Sequence, residues 1–409
     1  MPAIDTQPSE ASSSRGSPTL AILPGRLLLG WAIVLIAFNL RPALSSFAPV
    51  VNEVMAETGL SASGASLMST APVLCLGLFA ATAPGLSRRL GVERAALVAV
   101  AAVAAGCAAR GLGGVAALVA GSLLAGAGIG IANVLLPSLL KRDFADRAPL
   151  MTGLYSMALC IGAAVGAGAT APLRDGSGSW QFALAFWSLP AFAALGFSAL
   201  AWSHRLRAGV STAPRQAGRS LWRDPLAWQV TLFMGLQSML AYSVFGWLAP
   251  IMRDRGDSAV TAGLVVSVSV LSQVAASLPA PILAARMRRQ SLPAGASMLG
   301  VVIGFLGLAL APLVLQWAFA VLLGLGMGGA FATAVLFMVL RAPTGAAAAR
   351  LSSMAQSVGY CLGSLGPLIV GVAHDASGDW HGAMTLFVVA GGAAVVAGLL
   401  AGRNRHVRG

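Results

Sequence analysis

One arginine interrupts the first long apolar run of the chain, at position 41 in Trp31-Ala-Ile-Val-Leu-Ile-Ala-Phe-Asn-Leu-Arg41-Pro42. Counted from residue 27 it lies fourteen residues in, about 21 Å along a helix rising about 1.5 Å per residue. If that run crosses a bilayer with an apolar core of about 30 Å, the guanidinium sits deep, at roughly 2.5–3.5 kcal/mol on insertion scales. Pro42 lacks an N–H and loosens the helix beside it. All thirteen acidic residues fall in tails, loops or the ends of apolar runs, and Glu53 is twelve residues further on, too far to pair. Two roles fit Arg41. It is a structural arginine satisfied by carbonyls between helices, or a cation facing a cavity, where an anionic or strongly dipolar solute completes the charge balance.

Other polar side chains lie deep in apolar runs and are candidates for the same cavity: Asn39, Asn133, Tyr155, Gln237, Tyr242, Gln273, Gln356 and Tyr360. Each also suits an interhelical hydrogen bond, the common use of polar groups in a membrane. Catalytic chemistry is not visible. The glycine run from Gly126 to Gly130 follows no strand and precedes no Lys-Ser/Thr pair, so it reads as close helix packing rather than a phosphate loop. His204, His374, His381 and His406 have no metal-ligand spacing, and the four cysteines sit in apolar runs, so neither a metal, a cofactor nor a disulfide framework is expected.

The elements that must position these residues follow from composition. Of 409 residues 57% are hydrophobic and only 10% charged, against roughly 25% charged in soluble domains; a soluble enzyme is excluded. Twelve apolar stretches are long enough to span a bilayer: 27–51, 62–86, 93–110, 113–140, 148–172, 180–203, 225–251, 260–285, 293–312, 314–340, 350–373 and 382–402. They are too long and unbroken for barrel strands, so the fold class expected is an all-α membrane protein of twelve helices. The organisation expected is a disordered tail over 1–25, a six-helix bundle over 26–203, a linker over 204–224, a second bundle over 225–403 and a short tail over 404–409. Of the 26 basic residues, 21 fall on the side of the N-terminus and four (Arg110, Arg174, Arg253, Arg255) on the other. The positive-inside rule then places both termini and the linker in the cytoplasm, and the net charge of +13 reflects topology rather than nucleic-acid binding.

The halves repeat at an offset of about 200. Ala48-Pro49-Val50 matches Ala249-Pro250-Ile251, Gly126-x-Gly128-x-Gly130 matches Gly324-x-Gly326-x-Gly328, and Cys160-Ile161-Gly162 matches Cys361-Leu362-Gly363. Basic clusters follow the second and eighth stretches, and the overlay sets Tyr242 opposite Arg41 and Gln356 opposite Tyr155. Parallel six-helix repeats with a midplane site between them describe the major facilitator architecture. The loop after the second stretch resembles the Gly-x-x-x-Asp-Arg-x-Gly-Arg-Lys pattern of that superfamily. It keeps Arg89 and Gly91, but Arg88 stands where the Asp belongs and Pro84 where the first Gly belongs.

Five strings bring the resemblance closer: Asn39-Leu40-Arg41-Pro42, Ala71-Pro72-Val73-Leu74-Cys75, Asn133-Val134-Leu135, Lys141-Arg142-Asp143-Phe144 and Met151-Thr152-Gly153-Leu154-Tyr155. Together they are similar to the cyanate and 2-nitroimidazole transporter family within the major facilitators, most densely over residues 38–172. The resemblance implies a secondary transporter of small polar or anionic solutes in a bacterial cytoplasmic membrane, with Arg88, Arg89 and Gly91 at the inward gate. A monomer is expected, with a proton or an exchanged anion as its coupled partner. The rival expectations are a multidrug efflux pump, whose cavity aromatics would line, and a membrane-embedded enzyme or sensor.

Overall fold

The computed structural model describes residues 23–60, 62–207, 220–287 and 289–407. Residues 1–22 of the tail expected over 1–25 and most of the linker expected over 204–224 lie outside them, as do the last two residues; residues 23–25 already belong to the first helix. Among the described residues every regular element is helical and there is no strand, because in lipid a helix alone satisfies its own backbone groups within one segment. Among the described residues ten helical stretches are long and apolar enough to cross a membrane, the first of them Gly25–Val50 with its interruption at Leu40 and Arg41, and two further helix pairs are each bent at a short break. Counted as single spans, the pairs bring the total to twelve.

Those bends sit in the second span, Ala71–Ala80 followed by Ala83–Leu90 at 54°, and in the eighth, Thr261–Ser277 followed by Pro279–Arg286 at 43°. A proline opens the first turn after each break, where its missing N–H costs nothing. The first span departs furthest from expectation. It is not one helix over 27–51 but a helix Leu23–Asn39, a single turn Pro42–Ser45, a 3-10 turn Ala48–Val50 and a helix Val51–Thr58. Leu40 and Arg41 form the break between the first two pieces.

The basic face of the molecule carries the starts of the odd-numbered spans. At the opposite face the two halves share a device that the sequence overlay did not reveal. The fifth and eleventh spans end at Gly178 and Gly378, both with φ of +70°, and a tryptophan follows two residues later. Trp180 Nε1 donates to Glu57 at 2.6 Å and Trp380 Nε1 donates to Asp254 at 3.0 Å. Each bond ties the start of an even-numbered span to the end of the first or seventh. Nearby, Arg174 pairs with Glu53 at 2.7 Å, while His374, at the same offset, stacks on Trp380 at 3.9 Å.

The first six spans pack mainly on one another, and so do the last six; the second, fourth and fifth then meet the eighth, tenth and eleventh. Small residues make these approaches close. In the fourth span a Cβ added at Gly128 would collide with the Ala99 carbonyl and come within 3.0 Å of Val103. Gly128→Val is therefore expected to destabilise the protein by about 1–3 kcal/mol through overpacking. Gly196→Val is expected to be neutral, since an added Cβ there meets nothing within 4 Å. Thermal unfolding of the two variants in detergent checks this, and equal midpoints would contradict it.

Candidate functional site

Arg41 occupies the break itself, with φ −104° and ψ −35°. Its backbone carbonyl accepts from Leu44 and Ser45 at 3.0 and 3.1 Å and so starts the short turn that follows. The half-buried side chain enters a cavity between the halves with about 550 Å³ of empty space, part of it open to solvent. From the same half Leu159, Cys160 and Ala163 complete the wall; the other half contributes Gln237, Ser238, Tyr242, Phe245, Gln273, Met327, Phe331 and Tyr360.

The guanidinium carbon lies over the Phe331 ring, 5.6 Å from its centroid. Tyr242, Tyr360, Cys160 and Tyr155 are close enough to interact with it electrostatically. Among the described residues no carboxylate forms an ion pair with Arg41. A ring face offers a cation a weak partner, worth about 0.5–2 kcal/mol, and leaves the planar N–H fork able to take a bidentate acceptor. Gln273 and Cys160 join across the two halves at 3.6 Å. Gln237 commits its amide nitrogen to the Met234 carbonyl at 3.1 Å and Ser238 at 2.8 Å.

Of the nine side chains singled out in the sequence, Arg41, Gln237, Tyr242, Gln273 and Tyr360 line this cavity, and Asn39, Asn133, Tyr155 and Gln356 do not. Asn39 is buried and turns back to donate to the Leu35 carbonyl, 2.8 Å away in its own helix. The other three form a buried chain of contacts nearer the basic face. The Tyr155 hydroxyl donates to Asn133 Oδ1 at 3.0 Å, and Gln356 Nε2 donates to the Asn133 main-chain carbonyl at 2.7 Å. The last bond crosses between the halves, as does Ser353 Oγ to the Ala80 carbonyl at 3.0 Å. These groups close the floor of the cavity. Phe245, another residue of the cavity wall, is 46% exposed.

Arg88 and Arg89 are exposed at the end of the second span, and Gly91 turns the chain with φ +83°. The charge network of the basic face lies just beyond them. Arg142 pairs with Glu93 at 2.8 Å and Asp143 at 2.9 Å, and Arg205 pairs with Asp143 at 2.8 Å, joining the third, fourth and sixth spans. Side-chain exposures of 14% for Glu93 and 9% for Asp143 keep this network from being a solvated surface pair.

Sequence reasoning passed over Phe331 and Phe245, because an aromatic in an apolar span carries no signal of its own. It used Cys160 only as a repeat marker. Arg110 ends the third span, as the stretch 93–110 has it, but its burial, at 1% exposed, carries no signal in the sequence.

The Major Facilitator Superfamily model matches residues 27–364. The chain is 34% identical over 384 residues to a 2-nitroimidazole transporter of Escherichia coli (strain K12), spanning 94% of this chain and 97% of that protein. It is 32% identical over 351 residues to the cyanate transport protein CynX of the same organism, spanning 85% and 90% respectively. Among solved structures, it resembles the major facilitator transporter FucP in an outward conformation, with a TM-score of 0.72 at 12% identity, covering 91% of this chain and 98% of that one. A helical membrane fold of two packed halves, a cavity between them and these matches agree: the chain belongs to the Major Facilitator Superfamily and is a transporter rather than an enzyme.

Proposed function

We propose that this transporter moves a small planar solute, anionic or strongly dipolar, across a bacterial cytoplasmic membrane by alternating access, with Arg41 as the anchor. The observation that carries the reading is a guanidinium inside the cavity with a ring face beside it and no carboxylate among the described residues. In a low-dielectric site such a charge is compensated by what it binds. The ring faces of Phe331, Tyr242 and Tyr360 suit a flat solute, and Gln237 and Gln273 supply polar edges. A nitroimidazole or a small aromatic carboxylate uses that wall more fully than a cyanate ion does.

The basic face is the cytoplasmic one by the excess of Lys and Arg there. With the floor closed on that side, the conformation is outward-facing. One chain supplies the whole cavity, which fits a monomer as the working unit. Among the described residues the cavity wall holds tyrosines and a thiol but no carboxylate or histidine, and arginine does not titrate. That supports exchange against a second anion rather than a proton carried on the protein. The aromatic share of the wall favours a second reading, efflux of larger amphipathic compounds, but the fixed positive charge opposes lipophilic cations.

Arg41→Ala is expected to weaken binding of 2-nitroimidazole or benzoate at least tenfold, and Arg41→Lys to restore part of it. Isothermal titration on purified protein is the check; unchanged affinity in the alanine variant would refute the anchor. In proteoliposomes, internal benzoate is expected to accelerate benzoate uptake with no dependence on an imposed pH gradient. Uptake that needs the gradient, or transport of a lipophilic cation in place of the anions, would displace this reading.

A second expectation comes from the floor. Gln356→Ala removes one bond across the halves, of order 1 kcal/mol, and is expected to move the population several-fold toward the inward-facing state. Spectroscopic distances between labels on the outer ends of the first and seventh spans would report the change. An unchanged distribution would mean that this bond does not set the equilibrium.

A further inference from the structure

Arg110 stands near the outer end of the third span and is buried, yet it pairs with no carboxylate among the described residues. Its side chain reaches into the broken first span instead. Nη1 donates to the Ala43 carbonyl at 2.8 Å and Nη2 lies 3.4 Å from Ser46 Oγ; Ala43 belongs to the short turn that follows Arg41 and Ser46 caps it. That piece needs outside help. A single helical turn leaves most of its carbonyls without intrahelical donors, and a cation near its C-terminal end also complements the local dipole.

The opposite side of the break is closely packed. In the fifth span a Cβ added at Gly162 would collide with the Phe38 carbonyl, and one at Gly166 would meet Ser45 Oγ and, at 2.7 Å, the Pro42 Cα. The two glycines therefore set how closely the segment approaches, while Arg110 supplies the polar contact that draws it in the other direction.

The second half shows that this is not a generic tie between paired helices. There the arginine comes from the seventh span, the counterpart of the first: Arg255 donates to the carbonyls of Leu308 and Ala311 at the end of the ninth. The seventh span runs as one helix over Pro225–Asp254; its internal Pro250 leaves the Gly246 carbonyl without a helical donor but does not interrupt the helix. Only in the half where the span is broken does the arginine reach from the third span into the first.

We infer that Arg110 is a positioning residue: by binding Ala43 and Ser46 it fixes the outer piece of the first span and with it the direction in which Arg41 enters the cavity. The effect on solute rests on the anchor reading above; the effect on the helix break does not. Arg110→Ala is expected to speed hydrogen exchange at Leu44, Ser45 and Ser46 at least tenfold. Amides at residues 30–37 should stay unchanged. It is also expected to raise the Kd for 2-nitroimidazole at least tenfold, and Arg110→Lys, which keeps one donor for Ala43, should recover part of both.

Unchanged exchange over 43–50 in folded Arg110→Ala protein overturns the inference. So does faster exchange with unaltered affinity, in a protein whose binding Arg41→Ala does weaken. If Arg41→Ala leaves affinity intact while Arg110→Ala still loosens the segment, the anchor reading fails and the hold on the break stands. Should Arg110→Ala not fold, Ser46→Ala and Arg110→Lys remove one contact each. Both are then expected to raise exchange at the same three amides by a smaller factor, and no rise in either overturns the inference.

Discussion

A fixed positive charge inside an apolar span, with no carboxylate paired to it among the described residues, is the constraint to which the rest of this structure answers. Lipid offers such a charge nothing, and moving it to either surface would require a side chain longer than arginine has at this depth. The chain meets the constraint by opening the helix that bears it. Pro42 takes away one backbone donor, the helix Leu23–Asn39 stops, and a new turn starts from the Arg41 carbonyl. The guanidinium then faces a space lined by ring faces, amides and hydroxyls rather than acyl chains. Non-helical backbone at membrane depth is tolerable only where protein or a water-filled cavity satisfies it, so the break and the cavity imply each other.

That dependence explains why some of the molecule was legible in the sequence and some was not. The apolar runs and their number were legible because a bilayer fixes how long such a run must be. The repeat was legible where short strings such as Cys160-Ile161-Gly162 survived in both halves. The tryptophan ties at Trp180 and Trp380 escaped notice because their partners, Glu57 and Asp254, are different acids in segments that do not align residue for residue. Arg41 stood out because a charge in an apolar run has no ordinary explanation.

Depth alone, however, does not tell a cavity residue from a buried hydrogen-bonding one. Asn133, Tyr155 and Gln356 are as deep and as polar as Gln237 and Gln273, yet they bond to one another below the cavity. Which face of its helix a residue shows to the other half depends on how the halves dock. Phe331 is the converse case: nothing in its type marks it out, and only the docking sets its ring against the guanidinium. The burial of Arg110 was illegible for a related reason. A basic residue at the end of an apolar run looks like a loop charge until the neighbouring span proves to be broken.

Sequence repetition and functional asymmetry are compatible because the two halves have different tasks at the same level. The first half breaks its leading span and supplies the charge. The second keeps its leading span whole and supplies most of the wall, including Tyr242 where the overlay sets it opposite Arg41. Motion between the halves then has to be inexpensive at the floor. The polar bonds seen crossing it, Gln356 to the Asn133 carbonyl and Ser353 to the Ala80 carbonyl, are each worth of order 1 kcal/mol net. A carrier needs its two states within a few kcal/mol of each other, so that a solute's unequal affinity can shift the balance. A floor closed by neutral hydrogen bonds and small-residue contacts, with the ion pairs of Glu93, Arg142, Asp143 and Arg205 kept inside one half, meets that requirement. Buried ion pairs across the moving interface would each leave a stranded charge when they opened.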